Sequence, residues 1–148
     1  MTPTVEAVSR TDAGLASQLR VSVMKLARRI RNERTESDLT VSQISVLGLL
    51  FRNGELTVGK LASQELVQPP TMTRTVNALV EKGYAERRSS ETDGRAVLIS
   101  LSEKGREQVL ADRSRRDVWL ARQLGDITTD ERELLRQVAP LIERLATS

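Results

Sequence analysis

The sequence predicts a mainly α-helical protein with one small β-hairpin: a winged helix-turn-helix lobe flanked by longer helices. Three observations predict it. Apolar residues recur at helical spacing along most of the chain. Two short helix signatures follow one another across a tight turn at Leu66-Val67-Gln68. The period then changes from helix to strand just after Gly83.

Composition bounds the answer. A chain of 148 residues fits one domain. At 39% hydrophobic content with single Phe, Tyr and Trp residues, any core must be built from Leu, Val, Ile and Ala. The chain has no cysteine, which excludes disulfides, thiol sensing and thiolate metal sites. It has no histidine, which removes the usual general base, metal ligand and pH switch. No carboxylate or lysine cluster suggests catalysis, so a protein that is not an enzyme and needs no cofactor is expected. No apolar run approaches the roughly 20 residues of a membrane span. No secretion signal opens the chain, so a cytoplasmic location is expected. The net charge of +3 is compatible with nucleic acid without requiring it. Its distribution is uneven: Arg20, Lys25, Arg28, Arg29, Arg31 and Arg34 crowd one segment with only Glu33 opposing.

In chain order, Met1 to Arg10 lacks periodicity and reads as a mobile tail. Thr11 or Asp12 caps a helix reaching about Asn32, with Leu15, Leu19, Val23, Leu26 and Ile30 as a buried seam. That near-heptad spacing suits another long helix, from the same chain or a second copy. After a polar loop, Leu39-Thr40-x-x-Gln43-Ile44 carries a capping box and a hydrophobic staple, starting a helix that ends near Asn53-Gly54. Leu56 and Thr57 start a shorter helix to about Glu65.

The next helix organises the chain. Pro69 and Pro70 suit its first turn, where an N–H would lack an intrahelical partner, and Gly83 suits its end. Met72, Val76, Leu79 and Val80 form one apolar stripe; Thr71, Thr73, Arg74, Asn77, Ala78 and Glu81 lie opposite. Hydroxyl, amide and guanidinium groups on a face of small residues can reach base edges and phosphates. Strands follow at Tyr84–Arg88 and Ala96–Leu101, and Asp93-Gly94 signals a tight hairpin tip with Arg95 starting the returning strand. Ser102 caps a long helix to about Leu124. Thr128-Thr-Asp-Glu131 is a capping box for a last helix carrying Leu134, Leu135, Val138, Leu141, Ile142 and Leu145. Pro140, inside it, should bend the helix or free one carbonyl.

These residues, in this order, resemble the MarR-type winged-helix transcription regulators of bacteria. The resemblance runs from about Leu15 to Leu145. Its signature is Leu39-Thr40-x-x-Gln43, Leu61-Ala62, Pro70-Thr71-x-Thr73-Arg74-x-Val76-x-x-Leu79-x-x-x-Gly83, Arg87, Asp93-x-Arg95 and Leu101-Ser102-x-x-Gly105. The resemblance implies a homodimer whose first and last helices interlock, through residues such as Leu15, Leu19, Leu134, Val138, Leu141 and Leu145. The chain then divides into a winged lobe over 39–101 and dimerisation helices over 11–34 and 102–146 of a single domain, 1–148. The implied partner is double-stranded DNA carrying a pseudo-palindromic operator. Gln68, Pro70, Thr71, Thr73, Arg74 and Asn77 fall at the start and on the groove-facing side of the recognition helix. Arg95 falls on the wing arginine that enters the minor groove, and Asp93 on the residue that orients it. Gln68 departs from the serine frequent at the cap position and is a poorer cap. Relatives that sense oxidants do so through cysteine, a route closed here; others bind a small anionic or aromatic effector, for which Arg20 could hold a carboxylate. Trp119 reads as core or interface rather than ligand wall.

Two classes of function stay open on the residues: a DNA-binding repressor, and a winged-helix module that binds protein. Charge does not decide between them. From Arg52 to Arg95 there are seven basic residues (Arg52, Lys60, Arg74, Lys82, Arg87, Arg88, Arg95) and six acidic ones (Glu55, Glu65, Glu81, Glu86, Glu91, Asp93). Placement must therefore matter more than total charge.

Overall fold

The computed structural model describes residues 10–92 and 94–148. The elements run α1 (Asp12–Asn32), α2 (Val41–Asn53), β1 (Leu56–Thr57), α3 (Val58–Glu65), α4 (Pro69–Glu81), β2 (Ala85–Ser89), β3 (Val97–Leu101), α5 (Glu103–Gly125) and α6 (Thr129–Thr147). They fall into two compact units. One is Thr35–Ser114; the other joins the residues up to Arg34 with Arg115–Ser148. Of the expected N-terminal tail, all but Arg10 lies outside the described residues.

The helix starts are set by local side chains. The Thr11 hydroxyl accepts from the Gly14 amide at 3.1 Å, and Thr57 accepts from Lys60 at 3.2 Å. Thr40 and Gln43 close a reciprocal box at 3.2 and 3.0 Å. Thr128 and Glu131 do the same at 3.1 and 2.8 Å. Each such cap contributes about 0.5–2 kcal/mol by pairing an amide that the helix leaves open.

The core of the unit Thr35–Ser114 is aliphatic, with Val46, Leu47, Leu61, Met72, Val76, Leu79 and Ile99 essentially sealed from solvent. The expected hairpin has a third strand. Leu56 and Thr57 pair antiparallel with Ile99 and Leu98, giving the order β1-β3-β2. Leu56 thus serves the sheet as well as the start of α3. One buried carboxylate, Asp112 at 2% exposure, accepts from the Thr35 amide at 2.8 Å, the Thr35 hydroxyl at 2.7 Å and Gln108 Nε2 at 3.1 Å. Gln108 Nε2 also lies 3.2 Å from Oδ2, so both carboxylate oxygens have a partner, as burial of polar atoms requires.

The second unit looks different. Neither α1 nor α6 buries a single residue within the chain. The expected buried seam of the first helix is not buried by this chain: Leu15, Leu19, Val23 and Leu26 are exposed and Ile30 is half-buried. On α6, Leu134, Leu141 and Leu145 are exposed and Val138 half-buried. What this unit does hold is polar. Glu33 pairs with Arg29 at 2.5 Å and lies 3.9 Å from Arg115, and the Arg29 guanidinium stacks 4.6 Å from the Trp119 ring centroid. The Arg132 guanidinium donates to the carbonyls of Leu124 and Ile127, closing the turn into α6. Helix α6 continues through Pro140 to Thr147, with the Arg136 carbonyl deprived of its usual donor because proline has no N–H.

The passage from α4 through β2 to α5 is closely packed. Gly83 takes φ 84°, the left-handed turn that ends α4. Ser102 Oγ donates to the Gly83 carbonyl at 2.5 Å and accepts from the Gly105 amide at 3.1 Å. A Cβ at Gly105 would lie 2.0 Å from the Tyr84 carbonyl oxygen, so the first turn of α5 rests directly on backbone that only glycine accommodates. Gly105→Ala is expected to destabilise the protein by about 1–3 kcal/mol or more, read as a lowered urea midpoint. A midpoint equal to wild type would show that α5 can lift off this strand at no cost.

Candidate nucleic-acid interface

Helix α4 presents the polar face that its sequence predicts. Met72, Val76 and Leu79 are buried, and Val80 packs against the core. Thr71, Thr73, Arg74 and Asn77 are exposed, as are Gln68, Pro69 and Pro70 at its start. Gln68 occupies the N-cap with extended backbone (φ −71°, ψ 144°) and makes no side-chain cap hydrogen bond. With prolines at the first two helical positions, there are few amides for it to cap.

Two hydroxyls of α4, that of exposed Thr73 and that of half-buried Thr75, are already oriented. Thr73 Oγ1 donates to the Pro69 carbonyl at 3.0 Å, and Thr75 Oγ1 donates to the Thr71 carbonyl at 3.1 Å. Toward a ligand, Thr73 therefore offers lone pairs and a methyl group rather than a proton. Arg74 makes no hydrogen bond or ion pair with any described residue. It is the long cation of this face, and its five donors remain available.

The far end of α4 is clamped. Lys82 Nζ donates to the Asp38 carbonyl at 2.6 Å and to Gln43 Oε1 at 3.2 Å. The Tyr84 hydroxyl donates to Asp38 Oδ1 at 3.1 Å. Burial, reinforced by the Asp38 carboxylate that accepts from it, pushes the Tyr84 hydroxyl above its ordinary pKa. Lys104 lies 4.3 Å from the Tyr84 ring centroid and donates to the Lys82 carbonyl at 2.9 Å. Gln43, the capping residue of α2, so also meets the residue that caps the C-terminus of α4.

The wing differs from its sequence expectation. The ladder ends at Ser89↔Val97, and the Ser90 amide donates to the Ala96 carbonyl at 2.9 Å. The connection is the seven residues 90–96, shifted by one from the expected strand ends, and Arg95 lies in this turn, two residues before β3 begins, not at the start of the strand. Arg95 is exposed there. The orienting role expected of Asp93 falls outside the described residues. On β2, Arg88 forms a fork with Glu55, donating through Nε at 2.5 Å and through Nη2 to the other carboxylate oxygen. That pair holds Glu55 below the usual carboxylate range and pushes Arg88 further up. Sequence reasoning missed it because the partners stand 33 residues apart. Two of the seven cations counted between Arg52 and Arg95, Arg88 and Lys82, are thus engaged within the lobe. Arg87, the wing residue of the sequence signature, stays exposed.

No described helix is long and apolar enough to cross a membrane, and the described residues contain no group of three or more potential metal-ligating side chains. Comparison with known proteins adds the family context. The MarR family model matches residues 39–97, the stretch from the capping box of α2 to the start of β3. The chain is 42% identical over 135 residues to an uncharacterised HTH-type transcriptional regulator of Mycobacterium leprae, covering 91% of this chain and 94% of that one. It is 30% identical over 139 residues to an HTH-type transcriptional repressor of Bacillus subtilis, covering 89% and 86%. A MarR family protein structure from Bacillus stearothermophilus superposes with a TM-score of 0.78 at 27% identity, covering 94% and 97%.

The Glu55–Arg88 fork generates a test of the wing. Glu55→Gln should release Arg88, raise affinity for double-stranded DNA and steepen its salt dependence by about one phosphate equivalent. Titrations at several salt concentrations read this directly. An unchanged slope would mean that Arg88 points away from the nucleic acid even when freed.

Proposed function

The chain belongs to the MarR family of DNA-binding transcription regulators, and from that premise we propose that it is a homodimeric repressor of a pseudo-palindromic operator. The observation that carries this reading is α4: a helix sealed into the core along one stripe and clamped at its end, with Thr71, Thr73, Asn77 and an unpaired Arg74 on its open face. In the proposed complex, that face enters the major groove, where an arginine can bond guanine O6 and N7 together. Gln68 and Pro70 lie at the edge of the groove. The wing carries Arg95 to the neighbouring minor groove, where a guanidinium is favoured because it sheds water readily and the potential is negative; Asp93 orients it.

The uncovered helices support homodimerisation. Leucines on α1 and α6 at helical spacing, exposed in the single chain, support a second copy packing on Leu15, Leu19, Leu134, Val138, Leu141 and Leu145. Repression is supported by the similarity to the Bacillus subtilis repressor. Release by a small anionic or aromatic effector is the accompanying regulatory step, with the exposed Arg20 guanidinium as the group to meet a carboxylate. Such an effector works only by binding more tightly to a dimer whose two recognition helices are wrongly spaced for DNA.

Two experiments test the proposal. In an electrophoretic shift on the DNA flanking its own gene, Arg74→Ala should lose about 1–3 kcal/mol of specific binding while its thermal midpoint stays at the wild-type value. Unchanged affinity would remove α4 from the interface. For the dimer, replacing both Leu141 and Leu145 with Asp should give aggregated or unfolded chain by sedimentation and circular dichroism. A well-folded monomer at micromolar concentration would overturn the homodimer.

A further inference from the structure

The turn that leads into α4 ends α3 in a backbone conformation that ordinarily belongs to glycine. Leu66 has φ 56° and ψ 42°, and it is the one non-glycine residue with positive φ among the described residues. The local hydrogen bonds require that shape. The Leu66 amide donates to the Ser63 carbonyl at 3.3 Å, and the Val67 amide donates to the Ala62 carbonyl at 3.0 Å. This is a Schellman-type closure, in which glycine is the usual occupant and asparagine the usual substitute. A leucine there brings its Cβ close to the following carbonyl oxygen, a clash that glycine avoids.

Packing within the chain does not offset that strain. Leu66 is 91% exposed, more than any other large hydrophobic among the described residues. The turn around it is held by Ser45 Oγ, which donates to Glu65 Oε1 at 2.8 Å and ties the end of α3 to α2. A leucine that neither suits its backbone nor packs in its own fold, on an anchored turn, is accounted for by something outside the fold. Its position indicates what. Two residues on is Gln68, the N-cap of α4, and Thr71 and Arg74 follow within the first turns of that helix. In the major groove, the apolar feature that a side chain can pack against is the C5-methyl group of thymine.

We propose that Leu66 is a specificity-determining residue of the DNA interface, covering the methyl group of a thymine beside the base pairs that α4 reads. The inference rests on the DNA-binding reading above and extends it to a residue outside the recognition helix. The test uses the full chain and the duplex that footprinting locates in its own upstream DNA. Each thymine of a half-site is replaced in turn by deoxyuridine, which deletes only the methyl group. One such position should weaken the wild type about fourfold per half-site, the effect of exposing one methyl-sized group, and should leave Leu66→Ala and Leu66→Gly unaffected. Both variants should bind the unmodified duplex about fourfold per half-site more weakly than wild type, with an unchanged salt slope. Leu66→Gly should melt at or above the wild-type temperature. The proposal is overturned if the variants match wild type on the thymine duplex, as they would if Leu66 met a protein partner instead, or if deoxyuridine weakens all three proteins alike. Loss of binding in Arg74→Ala without loss in Leu66→Gly would sink this inference alone; no shift of any duplex by the wild type would sink it together with the DNA-binding reading.

Discussion

The lobe depends on how the chain leaves α4. Within four residues, Lys82 to Ala85, it must stop a helix, reverse through a left-handed glycine and enter a strand, all against the base of α5. Lys82 reaches back to Asp38 and Gln43, and Tyr84 reaches the same aspartate through its hydroxyl. Ser102 holds the Gly83 carbonyl, and Gly105 lies against Tyr84 where no side chain would fit. These contacts join segments more than 15 residues apart. They fix the tilt of α4 from its C-terminal end, so the exposed residues of its first turns project from a rigid mount. Preorganisation of this kind lowers the ordering cost of binding.

The opposite end of α4 is held differently. Gln68 caps nothing, Leu66 sits in strained backbone, and the residues around them are open to solvent. The internal contacts are concentrated where the helix ends, and the residues proposed to read DNA stand where it begins. Clamping and the proposed reading therefore do not compete for the same side chains. The lobe's charges show the same division. Arg88 and Lys82 are tied to internal partners, while Arg74 and Arg87 are left outward.

Much of this was legible in the sequence because it is local. Thr11, Thr40 with Gln43, Thr57, and Thr128 with Glu131 each announce a helix start through a bond spanning three residues, and each stands where expected. The apolar stripe of α4 is likewise a property of one helix. What was not legible depends on distant partners. The strand at Leu56 exists because Ile99 lies opposite it, the Arg88 fork needs Glu55, and the buried charge of Asp112 is made tolerable by Thr35, 77 residues away. The wing strands stop within one residue of where the pattern puts them, at Ser89 and Val97, but Arg95 falls in the connecting turn and not at the start of the returning strand. Leu66 gave no warning. Its place in a turn was legible, but its exposure and its φ were not.

The paired prolines at the start of α4 bear on hydration. An ordinary helix opens with several N–H groups directed outward, each solvated and each needing a substitute acceptor when the end is dried. Here Pro69 and Pro70 have no N–H, and the Met72 amide already donates to the Gln68 carbonyl at 3.1 Å. Only the Gln68 and Thr71 amides are left outward at that end. The tip of the helix thus holds few waters that must be stripped, and it offers little grip to a loose anion, since the backbone donors that usually cradle phosphate at such ends are missing. A tip built this way dries readily against any surface yet is retained only where side chains find matching groups, which favours rapid sampling of wrong sites over lingering on them.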